Sequence, residues 1–236
     1  MIRSRFPRVL ELIDLIEDRG AAGAYFREFE TRVEQDSGMA RVWSGRELEF
    51  QKLDNEAWSA LKTSAAPYLV KGKPNGRGWS QLISILNEAR GYIYLSEMGC
   101  TEIRFIPRVK KEGIETPDLI GELDATRALC EVKTILISDI EIRARRNIEV
   151  RSAETSLTPE FLKKLDDTLD KARNQLFAYE GGATRSGLCL WFSTSTIGRE
   201  NISATTTIKS MCTWPSRPAE TMKLFFSIAE PCSMKH

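Results

Sequence analysis

Thr116-Pro117-Asp118 and, thirteen positions after the aspartate, Glu131-Val132-Lys133 within Ala128-Leu129-Cys130-Glu131-Val132-Lys133-Thr134-Ile135-Leu136-Ile137 decide how this chain reads. The second stretch is apolar, rich in β-branched residues and free of Gly and Pro, which predicts a β-strand. Side chains on a strand alternate between faces. Glu131 and Lys133 therefore point one way, and Cys130, Val132 and Thr134 the other. Thr116 to Leu123 predicts the preceding strand, with Asp118 near its start. The connection, about Asp124 to Arg127, is short enough for an antiparallel hairpin that brings Asp118 beside Glu131.

Charge in mid-strand needs a reason, because burying it is costly unless it is paired or bound to a metal. A structural ion pair between Glu131 and Lys133 is one reading. Pro-Asp followed by acid-x-Lys also arises by accident in roughly one chain in ten of this size. The neighbouring elements add weight to the pattern. Trp79 to Met98 predicts a helix with Ser80 as N-cap, Gly99 as stop, and Leu82, Ile85, Leu86, Ala89, Ile93 and Leu95 on its buried side. Thr101 to Pro107 alternates polar and apolar, as a first strand does. Thr158 to Glu180 predicts a second helix from Leu162, Leu165, Leu169, Ala172 and Leu176, bounded by Pro159 and Gly181-Gly182. Ser186 to Thr194 predicts a fourth strand.

The motif and this order of elements, α-β-β-β-α-β, resemble the PD-(D/E)xK nuclease superfamily, the restriction-endonuclease-like fold, from about Trp79 to Ser195. The resemblance implies an α/β fold with a mixed central sheet flanked by helices. It implies Asp118, Glu131 and Lys133 as catalytic residues, and Asp118, Glu131, the Val132 carbonyl and Glu88 as ligands of Mg²⁺ or Mn²⁺. Glu88, in Leu86-Asn87-Glu88-Ala89-Arg90, sits where many of these nucleases carry a glutamate that completes the metal site. An ordinary solvated helix acid is the competing reading, and Glu97 the substitute. Gln175-Leu176-Phe177-Ala178-Tyr179 looks like the QxxxY motif of the RecB-like branch. Together with Lys171, four residues earlier on the same stripe, it implies contacts to the substrate strand. A polar helix edge with a half-buried Tyr competes with that reading. The Gly/Asp motif usual in that branch has no counterpart here, so the likeness is to the superfamily more than to the branch.

Composition agrees with this reading. The 236 residues, 42% hydrophobic and 28% charged, describe a soluble globular chain with a substantial core. No apolar run is long enough to predict a membrane-spanning helix, and the N-terminal Met1 to Arg8 lacks the apolar core of a secretory signal. Five cysteines (Cys100, Cys130, Cys189, Cys212 and Cys232) without CxxC spacing favour reduced thiols and a cytoplasmic location. The single histidine, His236, argues against His-based general bases and His-containing zinc sites. No Walker A loop is present.

Net charge is +1, mild for a nucleic-acid binder, but it is unevenly spread. Residues 1–70 hold ten Lys and Arg against twelve acids, whereas residues 71–111 hold eight against three. Phosphate contact needs such a local excess, although a solvated face explains the same count. Residues 1–72 are expected to form a helical accessory subdomain, from candidate helices at Phe6 to Asp18, Ala22 to Glu34 and Leu48 to Ala65. Residues 73–236 are expected to form the nuclease-like domain. Lys71 to Gly78 reads as a linker, or as a loop in which Arg77 approaches phosphate. Ser138 to Leu157 interrupts the core as a strand extension, a loop over substrate or a subunit contact. Ala204 to Trp214 and Leu224 to Ala229 suggest one or two closing strands.

The expectation is a Mg²⁺- or Mn²⁺-dependent nuclease acting on nucleic acid, foremost an endonuclease on DNA. A nuclease-fold binding or assembly module that does not cut is the alternative. No membrane partner is expected. A homodimer or partner protein is compatible with one site per chain, because cutting both strands commonly takes two chains.

Overall fold

The computed structural model describes residues 2–21, 23–70, 79–108, 116–136, 159–179, 187–195, 206–211 and 224–227. Among them are helices α1 (Ile2–Arg5), α2 (Pro7–Asp14), α3 (Phe29–Gln35), α4 (Ser37–Gln51), α5 (Asn55–Ala65), α6 (Ser80–Glu97) and α7 (Pro159–Tyr179). The strands β1 (Thr101–Phe105), β2 (Leu119–Leu123), β3 (Thr126–Leu136), β4 (Gly187–Ser195), β5 (Thr206–Met211) and β6 (Leu224–Ser227) lie side by side in sequence order in one sheet. Every neighbouring pair is antiparallel except β3 and β4, which run parallel. A parallel pair needs a long crossover, and α7 lies in it. The chain is thus a mixed α/β protein.

The β2–β3 connection is a two-residue turn. Asp124 and Ala125 both have left-handed backbone, with φ 49° and 58°, and Leu123 pairs with Thr126. That is a type I′ geometry, whose twist suits the flanking strands. β2 begins at Leu119, later than the Thr116 expected, so Asp118 stands one residue outside it. Its amide still donates to the Cys130 carbonyl at 3.1 Å, which carries the hairpin pairing to the acid itself.

α6 is buried on nearly every side, because it lies between the N-terminal helices and the sheet. Gly91 permits this. A Cβ there would fall 2.6 Å from Val132 Cγ2 and 2.9 Å from Leu119 Cδ1, so only glycine lets α6 approach β2 and β3 so closely. One apolar core runs without a break from Phe6, Phe50 and Leu61 through Leu86 to Leu119, Cys130 and Val132. A second cluster, Leu129, Leu165, Ala172 and Leu176, joins α7 to the sheet. The alternation of Cys130 and Val132 against Leu129 places α6 and α7 on opposite faces of β3.

The N-terminal third departs from the periodicity reading. Of the described residues in the stretch expected to be helical from Ala22 to Glu34, only Phe29 onward is helical, and Glu28 before it is left-handed, with φ 57°. Tyr25, Phe26, Phe29 and Trp43 meet edge to face there, and that packing sets the backbone. The expected Leu48 to Ala65 helix is two helices. Asp54 ends the break by accepting from the Ala57 amide at 2.7 Å, and α4 begins far earlier, where Asp36 accepts from Gly38 and Met39. Trp79, not Ser80, is the residue before α6, and no side chain caps it. No helix among the described residues is long and apolar enough to cross a membrane. Ser138 to Leu157 and Lys71 to Gly78, Arg77 included, lie outside the described residues.

Candidate active site

Three acids meet where α6 crosses the β2–β3 hairpin. Glu88 comes from α6, Asp118 from the residue before β2 and Glu131 from β3, and they are 5%, 9% and 3% exposed. Glu88, whose competing reading was a solvated helix acid, is therefore inside, whereas Glu97 is exposed and ion-paired with Lys52 at 3.7 Å. Asp118 is fixed by backbone: its Oδ2 accepts the Val132 amide at 2.7 Å. The Val132 side chain turns to the other face, against α6.

Glu131 and Lys133 share a face, as strand alternation requires, and their charged atoms lie 2.5 Å apart. Gln175 of α7 binds both. Its Nε2 donates to Glu131 Oε2 at 3.0 Å and to the Thr116 carbonyl at 2.9 Å, and its Oε1 accepts from Lys133 Nζ at 3.1 Å. The amide is thus engaged within the site. Lys171 is exposed, and Tyr179 is half-buried against the Leu129 cluster. Neither joins the acids.

Arg108 was noted in the sequence only as part of a basic excess, yet it completes the cluster. Its Nη2 donates to Glu88 Oε1 and lies 3.5 Å from Asp118 Oδ1. The strand register explains this. Phe105 pairs with Leu119 and Arg104 with Ile120, so the antiparallel pairing continued past β1 brings Arg108 alongside the Thr116-to-Asp118 segment. The Ile106 amide donates to the Asp118 carbonyl at 2.9 Å along the way. The seven residues between Arg108 and Thr116 hide that register from a sequence reading.

Electrostatics follow from burial and crowding. Burial, and then the Asp118 charge, raise Glu88 well above the carboxylate range against the pull of Arg108. Burial also raises Asp118, although the Val132 amide, Arg108 and Lys133 oppose it. Glu131 is pushed up to about 7 by burial and by Asp118, with Lys133 acting against the rise. For Arg108 burial disfavours the charge, but Glu88 and Asp118 outweigh it and hold its pKa above the usual value. With every group ionised, three carboxylates face two cations, Arg108 and Lys133. Full ionisation would leave a negative surplus, which the raised Glu88 and Glu131 relieve by holding on to protons.

Hard carboxylate oxygens with a negative surplus suit Mg²⁺ or Mn²⁺. Among the described residues no three Asp, Glu, His or Cys side chains stand close enough to enclose an ion in this arrangement. Arg108 lies between Glu88 and Asp118 instead, and Lys133 lies on Glu131.

The other face of β3 carries a polar set that the sequence reading also missed. Arg46 of α4 donates to Asn87 Oδ1, Asn87 Nδ2 donates to Thr134 Oγ1 at 2.9 Å, and Glu49 holds Arg46 at 3.0 Å and Arg90 at 2.9 Å. Burial, with the Arg90 charge, lowers Arg46 to about 10. Charged residues on a helix read as solvated, and nothing in the spacing marks these as interior. The chain matches no family model, no curated protein and no solved structure.

Proposed function

We propose that this chain is a Mg²⁺- or Mn²⁺-dependent nuclease of the PD-(D/E)xK type, an endonuclease acting on DNA in the cytoplasm. One observation carries the reading: Glu88, Asp118 and Glu131 arrive from three elements as buried acids with too few cations, beside Lys133 on the same strand face as Glu131. The element order α6-β1-β2-β3-α7-β4 supports it, and so do the reduced, buried Cys100 and Cys130.

Asp118, Glu131, Glu88 and the Val132 carbonyl are the residues that would hold the divalent ion. Once bound, it supplies an acidified water and offsets charge growing on the phosphate. The protein's own side chains do the rest. Lys133 sets an ammonium against the attacking water or the phosphate oxygen, a task that suits a compact point charge. Gln175 grips Lys133 and Glu131 through opposite ends of one amide, so both enter the reaction already oriented. The Val132 amide does the same for Asp118. Lys171 and Tyr179, one turn either side of Gln175, and Arg77 are the candidates for holding the nucleic-acid strand, and two chains would supply the two cuts of a duplex.

A second reading is a nuclease-fold nucleic-acid-binding or assembly module that does not cut. The Arg108 guanidinium on Glu88 and Asp118 favours it, since those acids are engaged without metal. One experiment separates the two. Linear, circular, branched and single-stranded DNA and RNA are incubated with protein in Mg²⁺, Mn²⁺ or EDTA, alongside Lys133→Ala and Asp118→Ala. The nuclease reading expects metal-dependent cutting that each substitution lowers by about two to three orders of magnitude. Binding without cutting in every lane would give the site to the silent module, and neither binding nor cutting would leave the motif a structural ion network.

A further inference from the structure

We infer that Arg108 is a phosphate-contacting residue of this site that, in the metal-free protein, is held on the two acids a divalent ion must take from it. The inference rests on the metal-site reading above and adds a residue that the motif does not contain. Three observations support it.

The Arg108 side chain is 56% exposed, whereas the acids it holds are 7% and 9% exposed, so a largely solvated group covers a buried pair. Among the described residues its hydrogen bonds go to Glu88 and Asp118, with Tyr68 acting on it only as a weaker electrostatic neighbour. The other cation of the cluster is tethered differently: Lys133 is also held by Gln175 from a separate helix.

A guanidinium donates only, and a divalent ion needs the same lone pairs, so the two compete for the oxygens of Glu88 and Asp118. Beside a bound ion the two positive charges repel, and an exposed, flexible side chain turns outward. Outward is toward solvent, the side from which a phosphate would have to approach the buried acids. The guanidinium fork suits two phosphate oxygens at once. The basic excess of residues 71–111 then includes one member with a defined task.

The test uses the full chain and a readout other than cleavage. Mn²⁺ binding is titrated calorimetrically on the parent, Arg108→Gln, Arg108→Lys and Asp118→Asn. Competition of this kind is a coupling of the order of tenfold, so Arg108→Gln should bind Mn²⁺ about tenfold more tightly, with Arg108→Lys near the parent. In a Lys133→Ala background, Arg108→Gln should also weaken binding to a labelled duplex in Mn²⁺ and lower its salt slope by about one. Should Arg108→Gln fail to fold, Glu88→Gln with and without Arg108→Gln gives the same comparison with one buried acid fewer to cover.

Unchanged or weaker Mn²⁺ binding by Arg108→Gln overturns the inference while the metal site stands. Unchanged duplex affinity and salt slope overturn its phosphate half. If the parent takes up no Mn²⁺, or Asp118→Asn takes it up equally well, the metal-site reading fails and Arg108 falls with it.

Discussion

Glu47 and Glu131 are buried alike, 2% and 3% exposed, and differ in what holds them. Glu47 of α4 accepts from the amides of Arg8 at 3.1 Å and Val9 at 2.9 Å in the first turn of α2, and from Gln51 Nε2 at 2.9 Å. Two of its three donors are backbone, fixed by a helix that already needs its first amides satisfied. Glu131 is held by side chains, Lys133 and Gln175, and shares its surroundings with two more acids. Burial alone therefore does not identify a functional carboxylate. The donors on Glu47 are mostly backbone and cannot leave, those on Glu131 are side chains that can turn away, and Asp118 has one of each, the Val132 amide and Arg108.

The comparison breaks first at Glu47. Glu47→Ala strands one buried and one half-buried amide and removes their shared carboxylate cap, so it should lower unfolding free energy by about 2–4 kcal/mol in urea denaturation. Mn²⁺ affinity should not move. If Glu47→Ala instead changed metal binding and left stability alone, the distinction between fixed and mobile donors would be wrong.

Gly91→Ala tests the packing that brings Glu88 to the hairpin. The added methyl meets Val132 and Leu119 at distances no real Cβ keeps, so α6 must lift from the sheet, at a cost of about 1–3 kcal/mol. Glu88 is one turn away on the same helix, and Mn²⁺ binding should weaken in step with the lost stability. A melt that falls while metal affinity stays whole would show that the site does not depend on that close approach.

A further expected effect lies in pH. Glu131 rises from an ordinary 4.5 to about 7 in the folded chain, so the folded state holds that proton more tightly than the unfolded one. In the metal-free protein its contribution to stability is therefore full below about pH 4.5 and lost as pH climbs through about 7. Glu131→Gln should flatten that slope in thermal melts taken across this window. Asp54 behaves oppositely. The Ala57 amide and the Tyr92 hydroxyl hold it below its usual range, so its contribution is present at neutral pH and disappears as acid protonates it. A slope that survives Glu131→Gln unchanged would move the titration to another group.

Much of the core was legible because local rules and packing agree there. The hairpin followed from alternation on either side of a short turn, and α6 and α7 from apolar spacing that the structure buries. The meeting of Asp118, Glu131 and Lys133 was legible because two strands joined by a short connection can only bring a few positions together. Arg108 and Arg46 were not. Their places depend on a register set across an intervening loop and on a helix contact between residues 41 positions apart, and neither leaves a periodic trace. The N-terminal helices were misplaced for a related reason. Helix spacing was read through Ala22 to Glu34, but an aromatic cluster set the backbone, and the Asp36 cap that starts α4 was overlooked.

β3 also sets how this chain can change over time. Odd positions from Leu129 to Lys133 serve the α7 side and the acids, while Cys130, Val132 and Thr134 serve α6. Removing one residue between Thr126 and Glu131 would move every later side chain by one place and exchange the two faces. Lys133 would then be directed at α6, and Thr134 at Gln175. The segment can absorb changes of residue type one at a time, each with its own cost, but not a change of count. Descendants of this sequence should therefore vary in length at their loops and keep the parity of this strand.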